Sequence, residues 1–110
     1  MSRTASRAIP PGHAAEKPTV DDILATRARA NKASTEFLKI DIETALTFSG
    51  TALQSDSQVK RERNRRAARR AYDTVLCLLG KVRLSEDEAQ VISGKLERLK
   101  SELTRLGEQL

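Results

Sequence analysis

The sequence predicts a small all-α protein, a three-helix bundle whose last two helices form an antiparallel hairpin behind an unstructured N-terminal tail. Three observations carry this. Apolar residues recur at spacings of three and four through most of the chain, which is the period of a helix face and not of a strand. Glycine and proline number five and three, mostly outside the periodic stretches, which excludes the turn-dense pattern of an all-β chain. Aromatic residues are 3% and tryptophan is absent, so the core has to be aliphatic.

A chain of 110 residues supports one domain. Its charged fraction of 32% exceeds the average of about 25% and fits solvated helix faces. Residues 1–18 read as a polar tail. Its opening has two arginines and no acid, as in a transit peptide, but no apolar stretch of a secretory signal. Residues 19–110 form the helical domain.

The first helix is expected over 20–54. Thr19-Val20-Asp21-Asp22 has the form of a capping box. Ser34 and Thr35 could re-cap the chain, so a break at 33–35 is left open. From there Leu38, Ile42, Ala45, Leu46, Ser49, Ala52 and Leu53 form one stripe, broadened by Phe37, Ile40 and Phe48. Gly50 lies inside this helix at some cost, which a close approach by another helix would explain. The second helix is expected over 57–79, with Ala68, Ala71, Tyr72, Val75, Leu76 and Leu79 on its stripe and Gly80 as its C′ residue. The third is expected over 85–110. Ser85-Glu86-Asp87-Glu88 is a Ser-x-x-Glu capping box. Ile92, Leu96, Leu99, Leu103, Leu106 and Leu110 then follow as a heptad seam. That seam points either inward or to a second copy, and Ile92, Leu96, Leu99, Leu103 and Leu106 are the candidate partner-binding residues.

The chemistry-bearing residues are few. Cys77 is the lone cysteine, which precludes an internal disulfide and places the chain in a reducing, cytoplasmic setting. It reads as a small apolar residue beside the core. His13 is the only histidine and lies in the tail, so no zinc set and no nucleophile–histidine pair can be assembled. Most acids have a base three or four residues away, as Glu62 has Arg65 and Arg66, and read as helix-surface pairs. No Gly-rich loop offers a phosphate site. The longest apolar run, Val75 to Leu79, is far too short for a transmembrane span. The expectation is a non-enzyme with no metal, no cofactor and no small-molecule substrate.

Charge is concentrated in one place. Residues 55–83 carry nine bases against three acids, more than the whole chain's excess of +5. At the centre of this segment, Lys60, Arg61, Arg63, Arg65, Arg66, Arg69 and Arg70 surround one helical stretch. In one reading neighbouring helices neutralise them. With position i of the hairpin facing roughly 164 − i, Glu108 comes near Asp56, Glu102 near Glu62 and Glu97 near Ala67, and with the first and second helices antiparallel about residue 55, Asp41 and Glu43 come near Arg69 and Ala67. In the other reading these seven bases bind phosphate and make the chain nucleic-acid-associated. The run resembles the basic region of bZIP transcription factors, with Asn64, Ala67 and Ala68 as its Asn-x-x-Ala-Ala pattern. That resemblance implies that Asn64 reads base edges. It covers about a dozen residues and ends at Tyr72, where an arginine would stand. Gly80 and the Ser85 cap break the continuous helix that a zipper needs.

The function expected from these features is that of a helical interaction module or small scaffold. It would bind a protein partner or itself through the heptad seam of the third helix, with nucleic-acid association through the basic stretch as the alternative.

Overall fold

The computed structural model describes residues 17–110, which form three α-helices with no strand among them. The expected unstructured tail falls mostly outside the described residues. Helix α1 is Val20–Gln54, α2 is Gln58–Leu79 and α3 is Glu86–Arg105.

Local chemistry sets each boundary. At the start of α1, Thr19 Oγ1 accepts from the Asp22 amide at 3.0 Å, and the Asp22 carboxylate accepts from the Thr19 amide at 3.1 Å. These bonds satisfy donors that a helix start leaves without partners. The helix then runs for 35 residues without a break. Thr35 does not re-cap it; its hydroxyl donates to the Asn31 carbonyl one turn back at 2.8 Å. Ser57 caps α2, its Oγ accepting from the Lys60 amide at 3.3 Å. Gly80 ends α2 in a right-handed conformation, φ −74°, so it does not supply the left-handed turn of a C′ glycine. That turn occurs at Gly107, φ +97°. There Gly107 N–H donates to Thr104 and Glu108 N–H to Leu103, both at 3.0 Å, a Schellman closure that ends α3 before the expected residue 110. The Ser85–Glu88 box opens α3 with bonds of 3.0 and 3.1 Å.

The central element is α1. Its interface with α2 is the most extensive in the molecule, and α3 packs along it as well. Successive contacts from Lys39 to Glu88, Glu43 to Lys95 and Ser49 to Glu102 show that α1 and α3 run in the same direction. The hairpin helices α2 and α3 therefore run oppositely, but touch each other little and meet mainly through α1. Leu38, Ile42, Ala45 and Leu46 of α1 pack with Ala68, Tyr72 and Val75 of α2 and with Ile92, Leu99 and Leu103 of α3. Leu38, Ile42, Leu99 and Leu103 are fully buried, each worth about 1.5–3 kcal/mol. The result is flat, 67 × 41 × 18 Å.

Four expectations of packing need correction. Leu76 does not join the buried stripe of α2; it is 43% exposed, beside the buried Val75. Phe37 and Ile40 do not broaden the core stripe; they are 61% and 60% exposed. The core needs only the width that α2 and α3 cover, and these two residues lie beyond it. Cys77 is exposed, because it points away from the Tyr72–Val75 face. No helix approaches closely at Gly50, where an added Cβ would meet nothing within 4 Å.

Lengths also matter. At about 1.5 Å per residue, α1 outreaches α2 by almost 20 Å. Residues 20–30 overhang the bundle and are all exposed. Just beyond them, Asn31 ties the overhang to the α2–α3 loop. Its Nδ2 donates to the Arg83 carbonyl at 3.1 Å, and Arg83 N–H donates to its Oδ1 at 2.7 Å.

Candidate interaction surfaces

The heptad seam of α3 faces inward. Ile92, Leu99, Leu103 and Leu106 are buried in the chain's own core, and Leu96 is half-buried against it. The reason is the thin apolar stripe of α2. With only Ala68, Tyr72 and Val75 buried on that helix, α1 requires a second aliphatic face, and α3 supplies it.

A different seam is left uncovered among the described residues. Ala30, Ala33, Phe37, Ile40, Thr44 and Thr47 recur at alternating spacings of three and four along the side of α1 that faces away from the core, and every one is exposed. Ile23 and Thr26 extend the series into the overhang. No charged residue occupies any of these positions. The hydroxyl of Thr47 is spent on the Glu43 carbonyl of its own helix at 3.0 Å. The charges lie on the flanks, acidic at Asp22, basic at Arg27 and Arg29 and acidic again at Glu36, Asp41 and Glu43. This spacing puts successive residues on one helix face and is that of a helix-docking seam. Its signal is present in the sequence, but two alanines and two threonines make it faint beside the leucines of α3.

The basic stretch divides into two groups. Arg65 and Arg69 turn toward the end of α3, where Glu108 is only 10% exposed and pairs with both. Arg65 also takes Glu62 at 2.7 Å, and Arg69 takes Asp73 at 3.2 Å. The bonded Arg65 holds the Glu62 carboxyl below its usual range, and Glu62 raises Arg65 in turn. Arg63, Arg66 and Arg70 lie on the exposed side of α2 and line a cleft with Glu62, with no carboxylate within ion-pair distance of them among the described residues. Lys60 and Arg61 likewise form no ion pair there. The three arginines follow one another at i, i+3 and i+7, a ridge about 10 Å long. Asn64, the base-reading position implied by the bZIP likeness, donates instead to the Lys60 carbonyl of its own helix at 2.9 Å.

The acids therefore take other partners than a hairpin register of 164 − i assigns. Glu108 reaches Arg65 and Arg69, not Asp56. Glu102 accepts from the buried Ser49 hydroxyl and from Arg98. Glu97 pairs with Lys100 and Glu43 with Lys95. The physical reason is that α3 follows α1, so its carboxylates meet α1 side chains first and reach α2 only at its far end.

Among the described residues no cluster of three or more histidine, cysteine or carboxylate side chains is placed to hold a metal ion, and no helix is long and apolar enough to cross a membrane. His13 lies outside the described residues. Three open surface clefts among the described residues are lined by unpaired cations or by ion pairs, and in these three no nucleophile is set beside a base. No protein-family model, curated protein or solved structure matches the chain.

Proposed function

We propose that this protein is a non-enzymatic helical interaction module that docks an amphipathic helix on the outer face of α1. One observation carries the reading. An uncharged seam with helix-docking spacing runs along the middle helix of a flat bundle, and its two largest residues, Phe37 and Ile40, are mostly exposed. Exposed apolar side chains scattered singly need no explanation, but aligned ones mark contact surfaces.

A photo-crosslinking amino acid at position 37 of the full chain tests this, with the same group at exposed Thr104 as control. In cells expressing the chain, position 37 should crosslink to a helix of a defined protein, either this chain or another, and position 104 should not. Equal labelling at both positions would remove the docking reading.

The arginine ridge supports a second reading, contact with the phosphate backbone of a nucleic acid. The favouring observation is that Arg63, Arg66 and Arg70 lack the carboxylates that hold Arg65 and Arg69. No aromatic residue lies beside the ridge to stack on bases, so such binding would be independent of sequence. Fluorescence anisotropy with generic duplex DNA across a salt series decides it. Glutamine at all three positions should flatten the slope of log affinity against log salt by about 2.7, roughly 0.9 for each phosphate that is no longer neutralised. An unchanged slope would assign any binding to other residues.

A further inference from the structure

We infer that the helix docked on α1 is α1 of a second copy, running antiparallel, with residue i roughly level with residue 70 − i of that copy. This rests on the reading of the outer face as a docking surface and goes beyond it by naming the occupant and the register.

In an antiparallel helix pair, each position of one seam meets the alternate position of the other. Several registers satisfy that rule, and size and charge choose among them. In this one Phe37 lies level with Ala33 of the second copy and Ile40 level with Ala30, so the large side chains meet alanines. Thr44 meets Thr26, and Thr47 meets Ile23. The flanks are complementary as well over residues 27–43, because Arg27 and Arg29 precede Glu36, Asp41 and Glu43, while Asp22 lies beyond them, level with Phe48 of the second copy. Arg27 comes beside Asp41 of the second copy, and Arg29 beside its Glu43. Symmetry doubles both, giving four opposite-charge pairs. Glu36 meets its own equivalent at the axis, where Lys39 already holds it at 3.3 Å. Shifting the pairing by one heptad toward the C-terminus sets Glu36 against Glu43 twice and leaves both arginines without an acid. Shifting it one heptad the other way sets Asp22 against Glu43 twice and leaves Arg27 without one. A parallel pairing sets Glu36 against Asp41 twice. Like charges across such a seam exclude a register as effectively as opposite charges select one.

The overhang fits the same arrangement. Residues 20–30 are all exposed, with Leu24, Arg27 and Ala28 lining an open cleft beside Lys81 and Arg83 of the α2–α3 loop, and a helix of three turns has little stability by itself. In the antiparallel pair each overhang lies along residues 40–50 of the second copy. The seam contact then extends from Ile23 to Thr47, roughly 36 Å of each helix. It also turns a flat single bundle into two stacked layers, the usual way in which helical surfaces complete their burial.

Sedimentation equilibrium of the full chain from micromolar to millimolar concentration, with a charge-exchange cycle, tests the inference. The unaltered chain should show a reversible monomer–dimer equilibrium. Arg27→Asp and Asp41→Arg should each raise the dissociation constant about tenfold, since each replaces two attractive pairs by two repulsive ones. The double variant should return to within about threefold of the original. Phe37→Glu should give a monomer with unchanged helix content by circular dichroism, because its position is exposed in the single chain. A chain monomeric throughout overturns the second copy as occupant, while a crosslink from position 37 to another protein would still uphold docking at this face. A dimer whose charge cycle fails to close overturns the register. A dimer indifferent to Phe37→Glu overturns this face altogether.

Discussion

Single side chains settle where this molecule is held together. Asn31 is the clearest case. A primary amide presents donors and an acceptor in one plane, and Asn31 uses one of each on the N–H and C=O of Arg83, which belong to successive peptide groups. The loop between α2 and α3 is thereby fastened to α1. Asn31→Ala removes both bonds and leaves the loop groups to water, for a net loss of about 1 kcal/mol. Thermal unfolding should show that loss, and hydrogen exchange should show loss of protection at the Arg83 amide. An Arg83 amide that exchanges equally fast in both proteins would mean that the clamp does not persist in solution. The sequence places Asn31 between Ala30 and Lys32 with nothing to distinguish it, since its partner is 52 residues away. The split among the arginines is hidden for the same reason. Arg65 and Arg66 are chemically identical neighbours that both lie within a helical turn of Glu62, and the positions of Glu62 and Glu108 in the fold separate the paired one from the unpaired one.

Elements are far more legible. The capping boxes at Thr19 and Ser85 and the hydroxyl cap at Ser57 start the helices where local hydrogen bonding predicts, because a cap is an arrangement among residues three apart. The inner stripe from Leu38 to Ala52 and the seam of α3 can be read from their spacing. The partner of each stripe cannot. Short connectors make neighbouring helices antiparallel, but they do not state which pair shares the larger interface. The aliphatic content of α2 is too small to receive α3, so α3 lies along α1 instead. The outer seam of α1 is hard to see because Phe37 and Ile40 stand beside core positions in the sequence, and 100° per residue separates adjacent letters onto different faces. The same helix thus carries two uncharged stripes, one used in its own core and one left open.

At the scale of the whole molecule, carboxylates are the main polar links that hold α3 in place. Glu88 binds Lys39 of α1 at 3.2 Å, Glu102 takes the Ser49 hydroxyl, Glu43 takes Lys95, and Glu108 takes two arginines of α2. The Glu88 carboxyl is held below the ordinary 4.5, chiefly by the Ser85 amide at the helix cap and then by Lys39, and Arg65 similarly lowers Glu62. A carboxyl lowered in the folded state adds stability that is fully present above its unfolded value. That stability is lost as pH falls through the folded value, because the unfolded chain takes up the proton first. The same acidification raises an already positive net charge and adds repulsion along α2. The unfolding midpoint, followed by far-UV circular dichroism, should therefore hold steady from neutrality to about pH 5 and fall steeply below it. In Glu88→Gln, which keeps the size of the side chain but no titration, the fall between about pH 5 and 3 should be shallower and should start from a lower midpoint. A midpoint level down to pH 3 in the unaltered chain would show that the aliphatic contacts of Ile92, Leu99 and Leu103 hold α3 without its charges.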